Sequence, residues 1–233
     1  MDQPKTPKSD SKSYPKTYHD YVIRDGVFVG DFEAMYQNFD SPWHQTEPDH
    51  NVLSKSRNAT LLNIKKYQIK SIAEFGCGLG YFSRMIKALG NVDVLGIDIS
   101  KTAIAKAQTN FPDIRFHVDT IANLERYAAC DAVLLAEITW YILPELQNIF
   151  LNLLTHFRGK YFLHNLTFYK GEAQKYGRNY FTNLDQFIEF CPFTLVERAE
   201  STTADPNGTI ETSTLFKIEP KQSLPKGSPY AIF

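Results

Sequence analysis

Residues 74–80 read Glu74-Phe75-Gly76-Cys77-Gly78-Leu79-Gly80. The short apolar run Ser71–Ala73 precedes them, and Phe82, Met85, Ile86 and Leu89 follow at i, i+3, i+4 and i+7. A strand, a glycine turn and an amphipathic helix in that order make a nucleotide-binding crossover. The glycines let the backbone approach a ligand where a Cβ would collide. The helix start presents unpaired N–H groups and a partial positive charge. A dinucleotide fingerprint spaces its glycines G-x-G-x-x-G. Here Tyr81 stands where the third glycine should be, and Gly80 comes one residue early. Glu74 lies two residues before the first glycine, where a carboxylate suits a ligand that carries an ammonium group.

Val92–Ile97 reads as a second strand ending at Asp98. An acid about twenty residues past the glycine turn, at a strand's carboxyl end, is placed to accept ribose hydroxyls. Ser100 is an N-cap for a helix through Ala103, Ile104 and Ala107, and Ile114–Val118 is a third strand ending at Asp119. This run resembles the class I S-adenosylmethionine-dependent methyltransferases over roughly Lys70 to Ile218. The resemblance implies S-adenosyl-L-methionine as cofactor and S-adenosyl-L-homocysteine as product, bound by Glu74, Gly76, Gly78, Gly80 and Asp98. It implies that Ile99 packs on the adenine and that Asp119 lies near the adenine amino group. Arg57, on the helix leading to the first strand, is placed to pair with the methionine carboxylate.

The crossover rhythm continues. Asp131–Ala136 is a buried fourth strand, Pro144 suits a helix start, and Leu146, Ile149, Phe150, Leu153, Leu154 and Phe157 form one apolar stripe. Gly159 ends that helix and Lys160–Leu163 is a fifth strand. Thr182 and Asp185 resemble a capping box for a helix with Leu184, Phe187, Ile188 and Cys191. Phe193–Arg198 and Thr212–Ile218 are the last strands, joined by the turn-rich Asp205-Pro206-Asn207-Gly208. Alternating strands and helices predict an α/β fold with a mostly parallel, seven-stranded Rossmann-like sheet and helices on both faces. The resembled fold ends in an antiparallel hairpin, which the last two strands fit. The expected organisation is a mobile tail over 1–18, a helical cap over 19–69, the catalytic domain over 70–219 and an extension over 220–233.

Ligands of open parallel sheets bind beyond the carboxyl ends of the strands. After the fourth strand comes Glu137-Ile138-Thr139-Trp140-Tyr141. The pattern is similar to nodulation-type N-methyltransferases that act on amino sugars, a small-molecule branch of the family. Glu137 is placed to orient a substrate hydroxyl or take its proton, and Trp140 and Tyr141 to stack on a ring. After the fifth strand comes His164, whose neutral imidazole suits proton abstraction near pH 7. Leu166–Phe181, with Tyr169, Tyr180, Gly171 and Gly177, reads as a lid, and Phe32–Asn51, with Tyr36, Trp43 and His44, as a cap over the pocket. No metal is expected, because a second acid beside Glu137, His164 and Asn165 is missing.

The 233 residues suffice for one such domain, with 43% hydrophobic and 22% charged residues. A net charge of −1 gives no overall attraction to nucleic acid or to an anionic membrane. The Asn/Asp-Pro-Pro-Tyr/Phe motif of base and glutamine N-methyltransferases is absent after the fourth strand. Three scattered cysteines, Cys77, Cys130 and Cys191, fit neither a disulfide framework nor a zinc site and point to the cytoplasm. Met1 to about Lys16 lacks the apolar stretch of a signal peptide. The expected function is methyl transfer to a hydroxyl or amine of a small molecule, a sugar unit or natural-product intermediate. The alternatives are a non-catalytic partner subunit or sensor of the same fold and a protein-methylating enzyme.

Overall fold

The computed structural model describes residues 17–24, 26–171, 173–202, 204–205, 208–222 and 230. Residues 1–16 of the tail expected over 1–18, most of the extension expected over 220–233, and Pro206 and Asn207 of the last turn lie outside the described residues.

The chain begins with α1 (His19–Val22) and a two-stranded hairpin, β1 (Ile23–Arg24) with β2 (Val27–Phe28). Helices α2 (Phe32–Asn38), α3 (Pro48–Leu53) and α4 (Lys55–Lys66) follow, with a 3-10 turn at Pro42–His44. The crossovers are β3 (Ser71–Phe75), α5 (Tyr81–Lys87), β4 (Asp93–Asp98), α6 (Lys101–Asn110), β5 (Arg115–Val118) and β6 (Ala132–Ala136). Then come α7 (Leu146–His156), β7 (Tyr161–Tyr169), α8 (Leu184–Phe190), β8 (Phe193–Thr202) and β9 (Thr209–Pro220). The large sheet has the order β5-β4-β3-β6-β7-β9-β8. Its strands are parallel except β9, which runs antiparallel to both β7 and β8. The order reverses between β3 and β6, so a crevice opens at their carboxyl ends.

Buried strands alternate their side chains between two cores. Val133 and Leu135 face the side covered by α7 and α8, where Phe150, Phe162 and Phe187 pack. Ala132 and Leu134 face the other side, against Ile64 of α4, Ile86 of α5 and Ile104 of α6. A third, smaller core of Val22, Met35, Tyr36, Leu79 and Ala103 seats the N-terminal segment on the crevice. Glu33 clamps it there: its carboxylate accepts from Ser100 Oγ at 2.7 Å and from Thr102 Oγ1 at 2.6 Å.

Several local expectations move. β3 runs on to Phe75, so Glu74 is a strand residue. Pro144 opens a 3-10 turn, Leu143–Glu145, and the α-helix starts only at Leu146. The cap of α8 is Asn183, whose Oδ1 accepts from Gln186 N at 2.9 Å, while the Gln186 side chain reaches back to Thr182 N at 2.7 Å. The reciprocal box therefore uses residues 183 and 186 rather than 182 and 185. The largest change is β7, which continues through His164 and Asn165 to Tyr169 because β9 pairs with it residue by residue from Tyr161 to Tyr169. The proposed lid thus loses its first four residues to the sheet and starts beyond Tyr169.

Candidate active site

A cavity of about 1470 Å³ lies over the carboxyl ends of β3, β4 and β6 and beneath the N-terminal segment. Its inner wall holds Glu74, Asp98, Asp119, Arg57, Gly76 and Ile99. Glu74 is buried and accepts from the Ser83 hydroxyl of α5. Burial pushes its carboxyl up to about 7, against the pull of that hydroxyl and of Arg57. Arg57 is held by Asn51 Oδ1, lies over the Phe82 ring at 5.2 Å, and sits in the field of Glu74, Glu137 and Glu211. Asp98 accepts from Gly78 N and Ser100 N, both at 2.9 Å, so it ties the glycine turn to the start of α6. Burial raises its pKa against these bonds.

Asp119 has a different character. Burial pushes its carboxyl up, but hydrogen bonds from Asn123, Thr120 and Tyr127 together with the Arg126 charge outweigh burial and hold it at about 2. It stays ionised, with both oxygens already engaged.

The glycines have a reason that the sequence did not disclose. Gly78 has φ +54, and a Cβ there would meet Gln45 Oε1 and Tyr36 Oη at 2.6 Å. A Cβ on Gly80 would meet Phe116 at 2.6 Å. Gly76 lines the cavity with Cys77, although a Cβ there would also meet the Ile138 side chain, and Gly78 and Gly80 do not line it. Gln45 completes the turn: its Oε1 accepts from Leu79 N at 2.8 Å and its Nε2 donates to Tyr36 Oη at 3.4 Å. Nothing in the local pattern marked Gln45, which arrives through the fold of the N-terminal segment. The Cys77 thiol is buried, and burial pushes its pKa far up.

The outer wall is aromatic. Tyr141 lies 5.3 Å from Phe32 and 6.2 Å from both Phe28 and Trp43, centroid to centroid. Tyr36 reaches the cavity beside the glycine turn. Trp43 and His44 line it from a strained turn, with φ of +53 and +55. His44 bonds Glu47 at 2.7 Å. Trp140 also reaches the cavity, but its Nε1 donates to Thr167 O at 3.1 Å and its ring packs on Phe168 and Phe181, so it is half core. Tyr169 lines the cavity from the end of β7. Tyr180 does not: it borders a separate, shallower recess with Leu143, Pro144 and Arg178.

His164 is the main correction. It is 1% exposed and absent from the cavity wall. Its ring stacks on Phe187 at 4.0 Å, and its Nε2 bonds Thr139 Oγ1 at 2.7 Å. Burial drives its pKa down to about 3. Strand parity is the cause. Phe162, His164, Leu166 and Phe168 face the core, while Asn165, Thr167 and Tyr169 face the cavity. The expected mouth-facing histidine is therefore a buried neutral imidazole.

Glu137 does reach the cavity. It has φ +64, its N–H donates to Asn165 O at 2.9 Å, and its Oε2 accepts from Thr167 N at 2.9 Å. Burial pushes its carboxyl up to about 7 despite the Thr167 bonds and Arg57. Pairing of β7 with β9 places Asn165 opposite Ser213, Thr167 opposite Glu211 and Tyr169 opposite Thr209. Asn165, Thr167, Glu211 and Thr209 all line the cavity. Ending the fifth strand at Leu163 had hidden this polar floor. Among the described residues no group of His, Cys, Asp or Glu is arranged to hold a metal, and no helix is long and apolar enough to cross a membrane.

Residues 72–159 match the family model described as a methyltransferase domain. No curated protein matches the sequence. Among solved structures, the N-methyltransferase NodS from Bradyrhizobium japonicum WM9, in complex with S-adenosyl-L-homocysteine, superposes with a TM-score of 0.61 at 16% identity, over 80% of this chain and 98% of its own. The PH0226 protein from Pyrococcus horikoshii OT3 gives a TM-score of 0.60 at 16% identity, over 82% and 100% of the two chains. The methyltransferase domain of bacterial CtHen1-CN gives 0.56 at 14% identity, over 72% and 100%.

Proposed function

We propose that the chain is a class I methyltransferase that transfers a methyl group from S-adenosylmethionine to an amine of a small molecule, a reading supported by the match of residues 72–159 to a methyltransferase domain and by the shared fold. The observation that carries the choice of an amine is the pairing of a withdrawn His164 with a cavity-facing Glu137. A hydroxyl acceptor needs a strong base, whereas an amine needs only to arrive neutral and shed a proton after attack.

The residues suit the cofactor. Glu74 offers a carboxylate to an ammonium group, Arg57 a guanidinium to a carboxylate, and Asp98 an acceptor to ribose hydroxyls. A cavity of about 1470 Å³ exceeds the roughly 300–1,000 Å³ of a single-ligand pocket, which leaves space for a second molecule. Bound there, S-adenosylmethionine supplies a methyl group already activated on a sulfonium, and S-adenosylhomocysteine is the product. The protein's part is chiefly positioning, worth roughly 7–11 kcal/mol in well-oriented cases. Glu137, with its carboxyl near neutrality, receives the proton that the methylated amine gives up. The aromatic outer wall favours an acceptor with a ring or sugar face.

The test is turnover with a radiolabelled methyl donor and a panel of amines and matched alcohols. The reading holds if label enters amines and S-adenosylhomocysteine accumulates in step. Label in alcohols alone, or in protein alone, contradicts it.

A further inference from the structure

Helix α4 lies along β9 in a matched register. Glu211, Ser213 and Leu215 alternate onto the face of β9 that α4 covers. Glu211 meets Ser54 and Ser56, Ser213 Oγ lies 3.0 Å from Thr60 Oγ1, and Leu215 packs in the same core as Ile64. Two residues of a strand advance ~6.6 Å and four residues of a helix ~6.0 Å, so successive contacts stay in step. Thr60 also donates to Asn165 Oδ1 of β7 at 2.6 Å, and just past the helix Tyr67 Oη donates to Glu197 of β8 at 2.6 Å. The body of α4 is therefore fastened independently of Glu211.

The first turn of α4 depends on Glu211. Its Oε2 accepts from Ser54 Oγ at 2.8 Å and from Ser56 N and Oγ, both at 3.2 Å. Ser54 is the N-cap of α4, and its Oγ in turn accepts from Arg57 N at 3.3 Å. A carboxylate at a helix start also gains from the partial positive charge there. This turn carries Arg57, whose side chain reaches the cavity wall, lies over Phe82 and bonds Asn51 Oδ1. Arg57 and Lys175 are the only Arg and Lys among the described residues of that wall, and acids outnumber them. A ligand carboxylate entering so acidic a cavity is repelled except where a cation is held in place for it.

We propose that Glu211 is a positioning residue for the methyl donor: from β9 it holds the first turn of α4, and through that turn it sets the Arg57 guanidinium for the donor's carboxylate. This rests on the assignment of Arg57 to that carboxylate and extends it to the terminal hairpin, 157 residues from Ser54 along the chain. Glu211 takes no proton and makes no bond to the reacting atoms. Its part is to keep a cation in place on a wall that is otherwise acidic.

Calorimetry of the full chain with two ligands tests this. S-adenosylhomocysteine carries the carboxylate, whereas 5′-methylthioadenosine keeps the adenosine and the thioether and lacks both the ammonium and the carboxylate. Glu211→Ala should weaken S-adenosylhomocysteine by about 3–30-fold, the range for a lost helix cap. It should leave 5′-methylthioadenosine unchanged, which also reports an intact fold. Glu211→Gln, which keeps an acceptor oxygen of the same reach, should lose less. In an Arg57→Ala background, Glu211→Ala should cost S-adenosylhomocysteine nothing further, because the two residues act as one unit. Unweakened S-adenosylhomocysteine binding by Glu211→Ala, an equal loss on both ligands in Glu211→Gln, or full additivity with Arg57→Ala overturns the role of Glu211 and leaves the donor reading standing. An Arg57→Ala variant that binds S-adenosylhomocysteine like wild type removes the premise and overturns the inference as well. If the wild type binds neither ligand, the donor reading fails and this inference with it.

Discussion

At the residue scale, one of the two expected catalytic side chains leaves the site and the other, Glu137, faces the cavity. His164 has the right chemistry for a base and the wrong strand parity, while Glu137 has an ordinary carboxyl that burial has pushed up to about 7. His164→Gln should therefore leave turnover per folded molecule within a few-fold of wild type. Its cost should appear in stability, because the stacking on Phe187 and the dry surroundings of the ring are lost. With an amine acceptor, whose proton leaves after attack, Glu137→Gln should lower turnover more than His164→Gln does, with little change in S-adenosylhomocysteine affinity. Steady-state kinetics of both variants decide the matter, and a crippled His164→Gln with an active Glu137→Gln would reverse the assignment. Glu74 adds a pH signature. Its carboxyl is raised to about 7, so below that pH it must lose a proton before it can pair with an ammonium. Affinity for S-adenosylhomocysteine should rise with pH between about 6 and 8, and Glu74→Gln should weaken binding and flatten that slope.

At the element scale, the parallel strands and the terminal antiparallel hairpin were legible, and the carboxyl end of β7 was not. β3, β4 and β6 read as short apolar runs between helices because both of their faces are buried, and the ends of all four strands from β3 to β6 fell within a residue or two of expectation. The carboxyl end of β7 is different. Past Leu163 one face turns polar toward the cavity, so Asn165 and Thr167 broke the apolar run and mimicked a strand end. Only the pairing with β9, forty or more residues away, extends the strand. The same early strand end put His164 in the wrong place and hid Asn165, Thr167 and Glu211. Gln45, which completes the glycine turn from the N-terminal segment, has no local signature. This element makes its own prediction. Gly78→Val introduces a branched side chain at φ +54 that collides with Gln45 and Tyr36. It should lower Tm and raise hydrogen exchange over residues 32–45, along with abolishing S-adenosylhomocysteine binding. Loss of binding with Tm and exchange unchanged would mean that the glycine faces the ligand rather than the cap.

At the scale of the whole molecule, burial of ionisable groups around the crevice ties stability to pH. Glu74 and Glu137 titrate near 7 in the folded chain and near ~4.3 unfolded. The native state thus holds more protons than the unfolded state between those values, and stability falls as pH rises through that window. His164 acts in the opposite sense. Its folded pKa of about 3 lies below the unfolded ~6.5, so stability falls as pH drops through that range. Together the three groups place the maximum of their contribution at pH ~4.3, where the opposing slopes cancel. Glu137→Gln should reduce the fall between about pH 5 and 7, as read by Tm across a buffer series.

The crevice at the strand-order reversal, lined by Glu74, Asp98 and Arg57, is central to the functional reading. Calorimetric titration with S-adenosylhomocysteine, run on the wild type and on Asp98→Ala and repeated with NADH, tests it most directly. One equivalent of S-adenosylhomocysteine should bind the wild type, and Asp98→Ala should weaken it by about 1–3 kcal/mol through the lost charged acceptor. NADH should give no binding heat. No binding of S-adenosylhomocysteine to the folded wild type, undiminished binding by Asp98→Ala, or a preference for NADH would contradict the assignment of this crevice to a methyl donor.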